Sequence, residues 1–244
     1  MLTKEEIEAR LHEMESRPDP MIKWDGPCEG SARALVVFVG PSPGGDKPES
    51  RHPMSKDCWL ALWNKPYDAP RTVWSPGFKK SFGALIKALF EREDFTVPEK
   101  LIGRANLDWV GNPNSIDVQE RDMIEGAPSA LRMIADCAPE LVLPMDTKTF
   151  RVLTETVLPA HGFEVTPCTV KNFLIRIPPA KKRVHRYICA SRAKSSNGRD
   201  FLVIKLPQHP ARTFNAEYAK VCGEAVREAA LQIASGQPVD VTKG

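Results

Sequence analysis

The sequence lacks an apolar run that approaches the ~20 residues a membrane-spanning helix needs. Its first residues, Met1 to Glu6, are charged and lead into an amphipathic pattern, which differs from a secretory signal. We therefore expect a cytoplasmic protein without membrane contact. The six cysteines are scattered, with no CxxC pair and no clustered cysteine and histidine. This spacing argues against a zinc site or an iron–sulfur cluster, and we expect reduced thiols, no metal and no cofactor.

Acidic residues are absent between Val165 and Arg199, a stretch that contains nine basic residues. The net charge of the whole chain is only +3, so the remainder is net acidic. Because clustered lysine and arginine release counterions from phosphates, this asymmetry predicts a polyanionic partner. The alternative is a solvated loop or hairpin that happens to be basic.

An apolar run from Leu35 to Val39 predicts a buried strand of a parallel sheet. The next residues, 40–45, contain prolines that cannot continue the strand and glycines that permit positive φ or close approach of a ligand. A second apolar run, 201–206, is followed by Pro207-Gln208-His209-Pro210. Since open α/β sheets bind ligands at the carboxyl ends of their strands, we expect both loops at one functional edge.

The chain of 244 residues fits one large α/β domain. Its alternating strand and helix patterns predict a three-layer α/β/α sandwich with a mostly parallel sheet of four or five strands. We expect a helix with a capping box at its start and then an irregular arm over residues 1–32, the main domain over 33–235, and a frayed tail over 236–244. Within the domain, residues 163–199 are predicted to form a basic antiparallel ribbon at a sheet edge.

Four motifs, taken in order, resemble those of the uracil-DNA glycosylase superfamily, closest in style to its Mug and single-strand-selective branches. They are the loop Gly40-Pro41-Ser42-Pro43-Gly44, Asn106 after the second predicted strand, the helix–proline–strand unit over 135–143, and the loop His209-Pro210-Ala211-Arg212. The resemblance rests on this order and covers residues 33–225.

The resemblance implies a DNA base-excision enzyme that hydrolyses the N-glycosidic bond of a flipped uracil or another deaminated base. It implies that the first loop lines the sugar, that an asparagine reads the base edge, and that an aromatic ring stacks on the base. The corresponding substrate-binding residues are Gly40, Pro43, Gly44, Asn106, and Trp74 or Phe78. DNA, single- or double-stranded, would be the partner of a monomeric protein.

The same resemblance implies three catalytic residues. His209 would donate a hydrogen bond to the base carbonyl whose charge grows as the bond breaks. Ser42 stands where family members carry Asp, Glu or Asn to orient water; its hydroxyl can bind a water but cannot act as a general base at neutral pH. Asp46 is the first candidate for that carboxylate role. Phosphate contacts would come from Arg212, Lys181, Lys182 and Arg183.

Two other functions stay open. The chain could be a catalytically silent nucleic-acid-binding member of the same fold, which the serine at position 42 favours. It could also be a small-molecule enzyme that binds a nucleotide or phosphate at residues 40–45. That loop lacks both the Lys-Ser/Thr of a P-loop and the full G-x-G-x-x-G spacing, which argues against phosphate binding.

Overall fold

A computed structural model of the chain describes residues 3, 5–9, 12, 21–24, 28–31, 33–42, 76–92, 101–108, 117–176, 183–185, 187–207 and 215–243. The strands within these ranges are β1 (Met21–Trp24), β2 (Cys28–Ser31), β3 (Val36–Gly40), β4 (Ile102–Asn106), β5 (Leu141–Pro144), β6 (Phe163–Pro167), β7 (Val170–Arg176), β8 (Arg183–His185), β9 (Ala190–Ser195), β10 (Asp200–Ile204) and β11 (Val239–Lys243). The helices are α1 (Pro76–Leu89), α2 (Glu120–Cys137), α3 (Thr147–Arg151) and α4 (Ala216–Ala234), and α3 continues through a π-helical segment, Val152–Val157, and a last turn, Leu158–Ala160. No helix in the described ranges has the length and apolar character needed to cross a membrane.

An eight-stranded sheet forms the middle layer, in the order β1-β2-β4-β3-β5-β10-β9-β6. The four central strands β4, β3, β5 and β10 are parallel, and antiparallel strands extend the sheet on both sides. Every residue of β3 is buried, which explains why that strand is apolar throughout. The predicted α/β/α architecture is confirmed, although the whole sheet is larger than the four or five strands expected.

Two hydrophobic cores lie on opposite faces of the sheet. Phe38 of β3 packs into the core beneath α1 and α4, where its ring meets that of Phe82 edge to face at a centroid distance of 4.9 Å. Val37, its neighbour on the strand, packs into the other core with Met133 of α2 and Leu153 of the π-helical segment. Alternate residues of β3 therefore serve alternate cores, as the pleat of a strand requires.

The predicted capping box at the N-terminal helix is confirmed. The Glu6 N–H donates to Thr3 Oγ1 at 3.2 Å, and the Thr3 N–H donates to Glu6 Oε2 at 3.1 Å. The irregular arm predicted to follow the helix is wrong where the structure describes it, because β1 and β2 form a hairpin there and β2 pairs with β4. Strand β2 bonds to the edge of β4 that β3 leaves free, and β1 bonds to β2. These distant partners make the two segments strands, and the local sequence does not indicate such strands.

The predicted frayed tail is also wrong. Residues Val239–Lys243 form β11, which pairs in parallel with β7 and completes a three-stranded second sheet in the order β11-β7-β8. Val239 and Val241 are fully buried. The side-chain amide of Gln232 in α4 also makes two hydrogen bonds with the backbone of Asp240, at 2.8 and 3.0 Å.

The predicted basic ribbon over 163–199 is divided between the two sheets. Strands β6 and β9 form an antiparallel edge of the large sheet, as expected, but β7 and β8 belong to the small sheet. Pairing of β7 with β11, which lies about 70 residues later in the chain, separates the ribbon.

Candidate functional site

The four parallel strands end at one edge of the sheet, which we call the rim and define as residues 40–42, 106–108, 144–146 and 204–207. The chain leads from β3 to β4, which lies on one side of β3, and later from β5 to β10, which lies further in the opposite direction. The order of the strands therefore reverses between β3 and β5, and this position is the switch point of the sheet. Ligands of open α/β sheets bind at such a switch point. The Met145 N–H donates to the Val39 carbonyl at 2.8 Å across it, so the ends of β3 and β5 are held side by side.

Gly40 and Asn106 are register partners at the ends of β3 and β4. The Leu107 N–H donates to the Gly40 carbonyl at 3.0 Å, and the Asp108 N–H donates to the Pro41 carbonyl at 2.9 Å, which extends the pairing into the rim. A Cβ at position 40 would overlap Oδ1 of Asn106. The described glycines with positive φ do not include Gly40, so this glycine is required for the close approach of the Asn106 amide.

Asn106 lies on the face of the sheet that α1 and α4 cover. It is four residues after Ile102, which packs in that core, and residues of a strand separated by even numbers share a face. Met145 packs against the same core, and both side chains are partly exposed. Phe78 lies in the first turn of α1, four positions before Phe82. This face of the rim therefore carries the Asn106 amide and, two strands away after β5, the apolar side chain of Met145.

Two charged residues at the rim are buried, and the sequence analysis did not select either of them. Asp108 is 6% exposed and Lys205 is 5% exposed, and both make polar interactions. The Lys205 N–H also donates to the Cys189 carbonyl at 2.9 Å. Lys205 was detectable in principle, as the one charged residue inside the run Phe201 to Leu206. Buried charges of this kind are uncommon and often belong to functional sites.

Asp146 places a carboxylate at the switch point. It caps the following helix, because its Oδ1 accepts from the Thr149 N–H at 2.8 Å. Its other oxygen, Oδ2, is buried and has no hydrogen-bond partner among the residues that the structure describes. Thr149, in the first turn of α3, is fully buried, and its Oγ1 has no partner in the same described part of the chain. No sequence pattern could indicate the unpaired oxygen, because the pairing of a buried group is a property of packing.

The structure brings together only part of the predicted site. Gly40, Ser42 and Asn106 lie at the rim, with Ser42 partly buried. For Phe78 and Arg183 the structure describes the backbone, within α1 and β8 respectively. The remaining predicted site residues lie outside the described residues: Pro43, Gly44, Asp46, Trp74, Lys181, Lys182, His209 and Arg212.

A shallow cleft of about 470 Å³ lies beside the rim, at the start of α2. Its lining consists of Val118, Gln119, Glu120, Arg121 and Lys148, and the Lys148 ammonium donates to the Val118 carbonyl at 2.9 Å. Glu120 is paired with Arg151. The cleft includes none of the predicted site residues, and its charged groups already have partners within the protein. The rim is therefore the stronger candidate site.

The basic residues of the 165–199 stretch do not all face the rim. Lys194 pairs in register with Asp200, at the amino end of β10, and Arg199 adjoins that end. The Arg192 guanidinium also bonds there, to Asp200 at 3.4 Å. Arg176 and Arg183, in contrast, are register partners at one end of the small sheet. Strand β11 runs back along α4 from Gln232 toward the start of that helix, and β7 is parallel to β11. The end of the small sheet that carries Arg176 and Arg183 therefore lies on the rim side of the molecule.

The described residues include no group of three or more His, Cys, Asp or Glu that could hold a metal ion. Cys28, Cys137 and Cys222 are buried. Burial also raises the pKa of the Cys168 thiol, against a smaller opposing effect of Arg192. The thiolate form of Cys168 is thereby disfavoured. The polar chemistry of the rim thus comes from an amide, a hydroxyl, two carboxylates and an ammonium group.

Comparison of the chain with models of known protein families found no match, and comparison with curated protein sequences found none either.

Proposed function

We propose that this chain is a DNA base-excision glycosylase that hydrolyses the N-glycosidic bond of a flipped uracil or another deaminated base. The observation that carries the proposal is the approach of the Asn106 amide to Gly40 at the switch-point rim. An amide both donates and accepts hydrogen bonds. It can therefore read the edge of uracil, where an N–H lies beside a carbonyl.

An apolar side chain on the same sheet face as Asn106 supports binding of a planar base. Met145 lies partly exposed on the same sheet face, and α1 carries position 78 one turn nearer the rim than Phe82. In the proposal, Phe78 or Trp74 stacks on the base, since base–aromatic stacking is worth ~1–3 kcal/mol per base. Gly40, with the neighbouring Pro43 and Gly44, lines the sugar.

The proposed reaction breaks the C1′–N bond through an oxocarbenium-like transition state while negative charge grows on the base. His209 donates a hydrogen bond to the charged carbonyl, and loss of one such donor typically costs ~2.7–4 kcal/mol. The Ser42 hydroxyl holds the attacking water, with Asp46 as the first candidate for a carboxylate beside it. Asp146 is a second carboxylate available at the switch point.

DNA is the proposed partner of a monomeric, cytoplasmic enzyme that works without metal or cofactor. Flipping the target base requires a few kcal/mol of unstacking, which contacts to the bound strand must offset. Arg212, Lys181, Lys182 and Arg183 are the proposed phosphate contacts. The acid-free stretch from Val165 to Arg199 supports an anionic polymer as the partner.

The test is release of a base from labelled oligonucleotides that carry uracil, hypoxanthine, xanthine or a mismatched thymine, followed by alkali to reveal abasic sites. Asn106→Ala is expected to lower release about 5- to 150-fold because two hydrogen bonds to the base edge, each worth ~0.5–1.5 kcal/mol, are lost. Asn172→Ala is the matched control, since Asn172 is partly exposed on β7 and its side-chain amide donates to Thr242 Oγ1. His209→Ala should abolish release and leave the fold intact.

Wild-type release rates in Asn106→Ala or His209→Ala would refute the proposed site. Salt-sensitive binding to the same strands without release of any base would instead identify a silent nucleic-acid-binding protein. The absence of both release and binding would favour an enzyme that acts on a small molecule.

A further inference from the structure

Tyr187 is 85% exposed, compared with 41% for Ile124 and 36% for Val170, the other large apolar side chains open to solvent in the described ranges. Its neighbour Ile188 is 6% exposed and packs in the core beneath α1 and α4. The packing of Ile188 thus fixes the backbone at position 187, whereas the ring of Tyr187 contributes little to packing. Single exposed apolar residues are common on protein surfaces, so the meaning of this one depends on its position and surroundings.

Tyr187 lies beside the rim. The segment that follows it is bound to the end of β10, because the Lys205 N–H donates to the Cys189 carbonyl and Ala190 pairs in register with Ile204. Strand β9 is four positions from β4, the strand that carries Asn106, a distance of about 19 Å. Successive nucleotides of a DNA strand rise ~3.4 Å, so a strand whose target base reaches Asn106 brings other bases near Tyr187 roughly five or six nucleotides away.

The charge near Tyr187 matches a nucleic acid. The residue stands inside the acid-free stretch from Val165 to Arg199, and Arg176, at the rim-side end of the small sheet, is exposed. Proteins that bind single strands combine such cations, which follow the phosphates, with aromatic rings on which unpaired bases stack. Bases in a duplex are already stacked on one another and cannot use the ring in this way.

We propose that Tyr187 is a stacking contact for an unpaired base of single-stranded DNA that crosses the rim, a few nucleotides from the flipped base. This inference rests on the proposed glycosylase function for the route of the strand past Asn106. It assigns single-stranded rather than fully paired DNA as the preferred substrate.

The test measures binding of a labelled single strand of about 20 nucleotides, and of its duplex, by fluorescence anisotropy at one salt concentration. The oligonucleotide contains no deaminated base, so recognition of a target base does not contribute. Tyr187→Ala should raise the Kd for the single strand about 5- to 150-fold. Tyr187→Phe keeps the ring and should bind like wild type. Ile124→Ala, an exposed apolar residue of α2 outside the acid-free stretch, is the control and should also be unchanged, as should duplex binding by all variants.

Equal single-strand affinity of wild type and Tyr187→Ala would overturn the inference, as would a wild-type protein that does not bind the single strand. A loss in Tyr187→Phe as large as that in Tyr187→Ala would also overturn it, because the hydroxyl and not the ring would then be responsible. Base release is assayed on the same preparations. Release by wild type with unchanged binding by Tyr187→Ala would reject this inference alone, whereas weakened binding by Tyr187→Ala without any release would reject the glycosylase and keep the stacking contact.

Discussion

Replacing Gly40 by alanine should destabilise the protein only while Asn106 is present. A Cβ at position 40 would overlap Asn106 Oδ1, whereas the next nearest atoms, Asn106 Cγ and Ser42 O, would be at ordinary distances of 3.6 and 3.7 Å. The amide is therefore the group that must move. An amide turned out of its rotamer costs ~0.5–1.5 kcal/mol, and a lost hydrogen bond costs a similar amount. Alanine in place of glycine recovers about 0.4–1 kcal/mol by restricting the unfolded chain.

The net expectation is a loss of about 1 kcal/mol in the free energy of unfolding for Gly40→Ala. In the Asn106→Ala background the overlap disappears, and the same substitution should gain about 0.5 kcal/mol. The coupling energy between the two positions is then ~1.5 kcal/mol, within the range for residues in contact. Denaturant unfolding of wild type, both single variants and the double variant measures it without any knowledge of the substrate.

Gly223→Ala is the control for this cycle. A Cβ at position 223 would overlap the Leu85 carbonyl oxygen where α4 packs on α1, and a backbone atom cannot rotate away. Its cost, roughly 1–3 kcal/mol, should be the same with and without the Asn106 side chain. If Gly40→Ala lowers the free energy of unfolding by the same amount with and without the Asn106 side chain, the Asn106 amide is not the group that requires glycine at position 40. The proposed site at Asn106 would then lose its main support.

Two further predictions concern stability. Asp146→Asn keeps the Oδ1 acceptor that caps α3 and removes the negative charge beside the unpaired Oδ2. It should therefore destabilise the protein less than Asp146→Ala, which loses the cap and about 1 kcal/mol with it. Equal losses of the two variants in denaturant unfolding would contradict this role of Oδ2. Val241→Ala removes a fully buried side chain of β11 and should lower the free energy of unfolding by about 2 kcal/mol, whereas Thr242→Ala, on the exposed side of the same strand, should cost at most about 0.5 kcal/mol. Similar small effects of both would indicate that β11 contributes little to stability.

Signals carried by neighbouring residues were reliable in this chain. The Thr3–Glu6 capping box and the apolar run that becomes β3 both depend on groups within a few positions of one another, and each is present as predicted. The location of Gly40 and Asn106 at the same edge of the sheet could also be predicted from the sequence. Parallel strands that alternate with helices must end at the same edge, whatever the details of their packing.

Tertiary structure alone decided which other residues became strands and where the charges lie. Residues 239–243 alternate apolar and polar side chains, but a five-residue strand is stable only against a partner, and β7 becomes its partner only in the folded chain. The register of β9 on β10 sends Lys194 to the end opposite the rim and holds Cys189 beside Lys205, which brings Tyr187 to the rim. Sequence by itself determined the type of sheet and the glycine and asparagine at its edge, because these follow from local hydrogen bonding and hydrophobic pattern. The buried Asp108 and Lys205, the unpaired oxygen of Asp146 and the exposed ring of Tyr187 follow from contacts between distant segments, which no local pattern encodes.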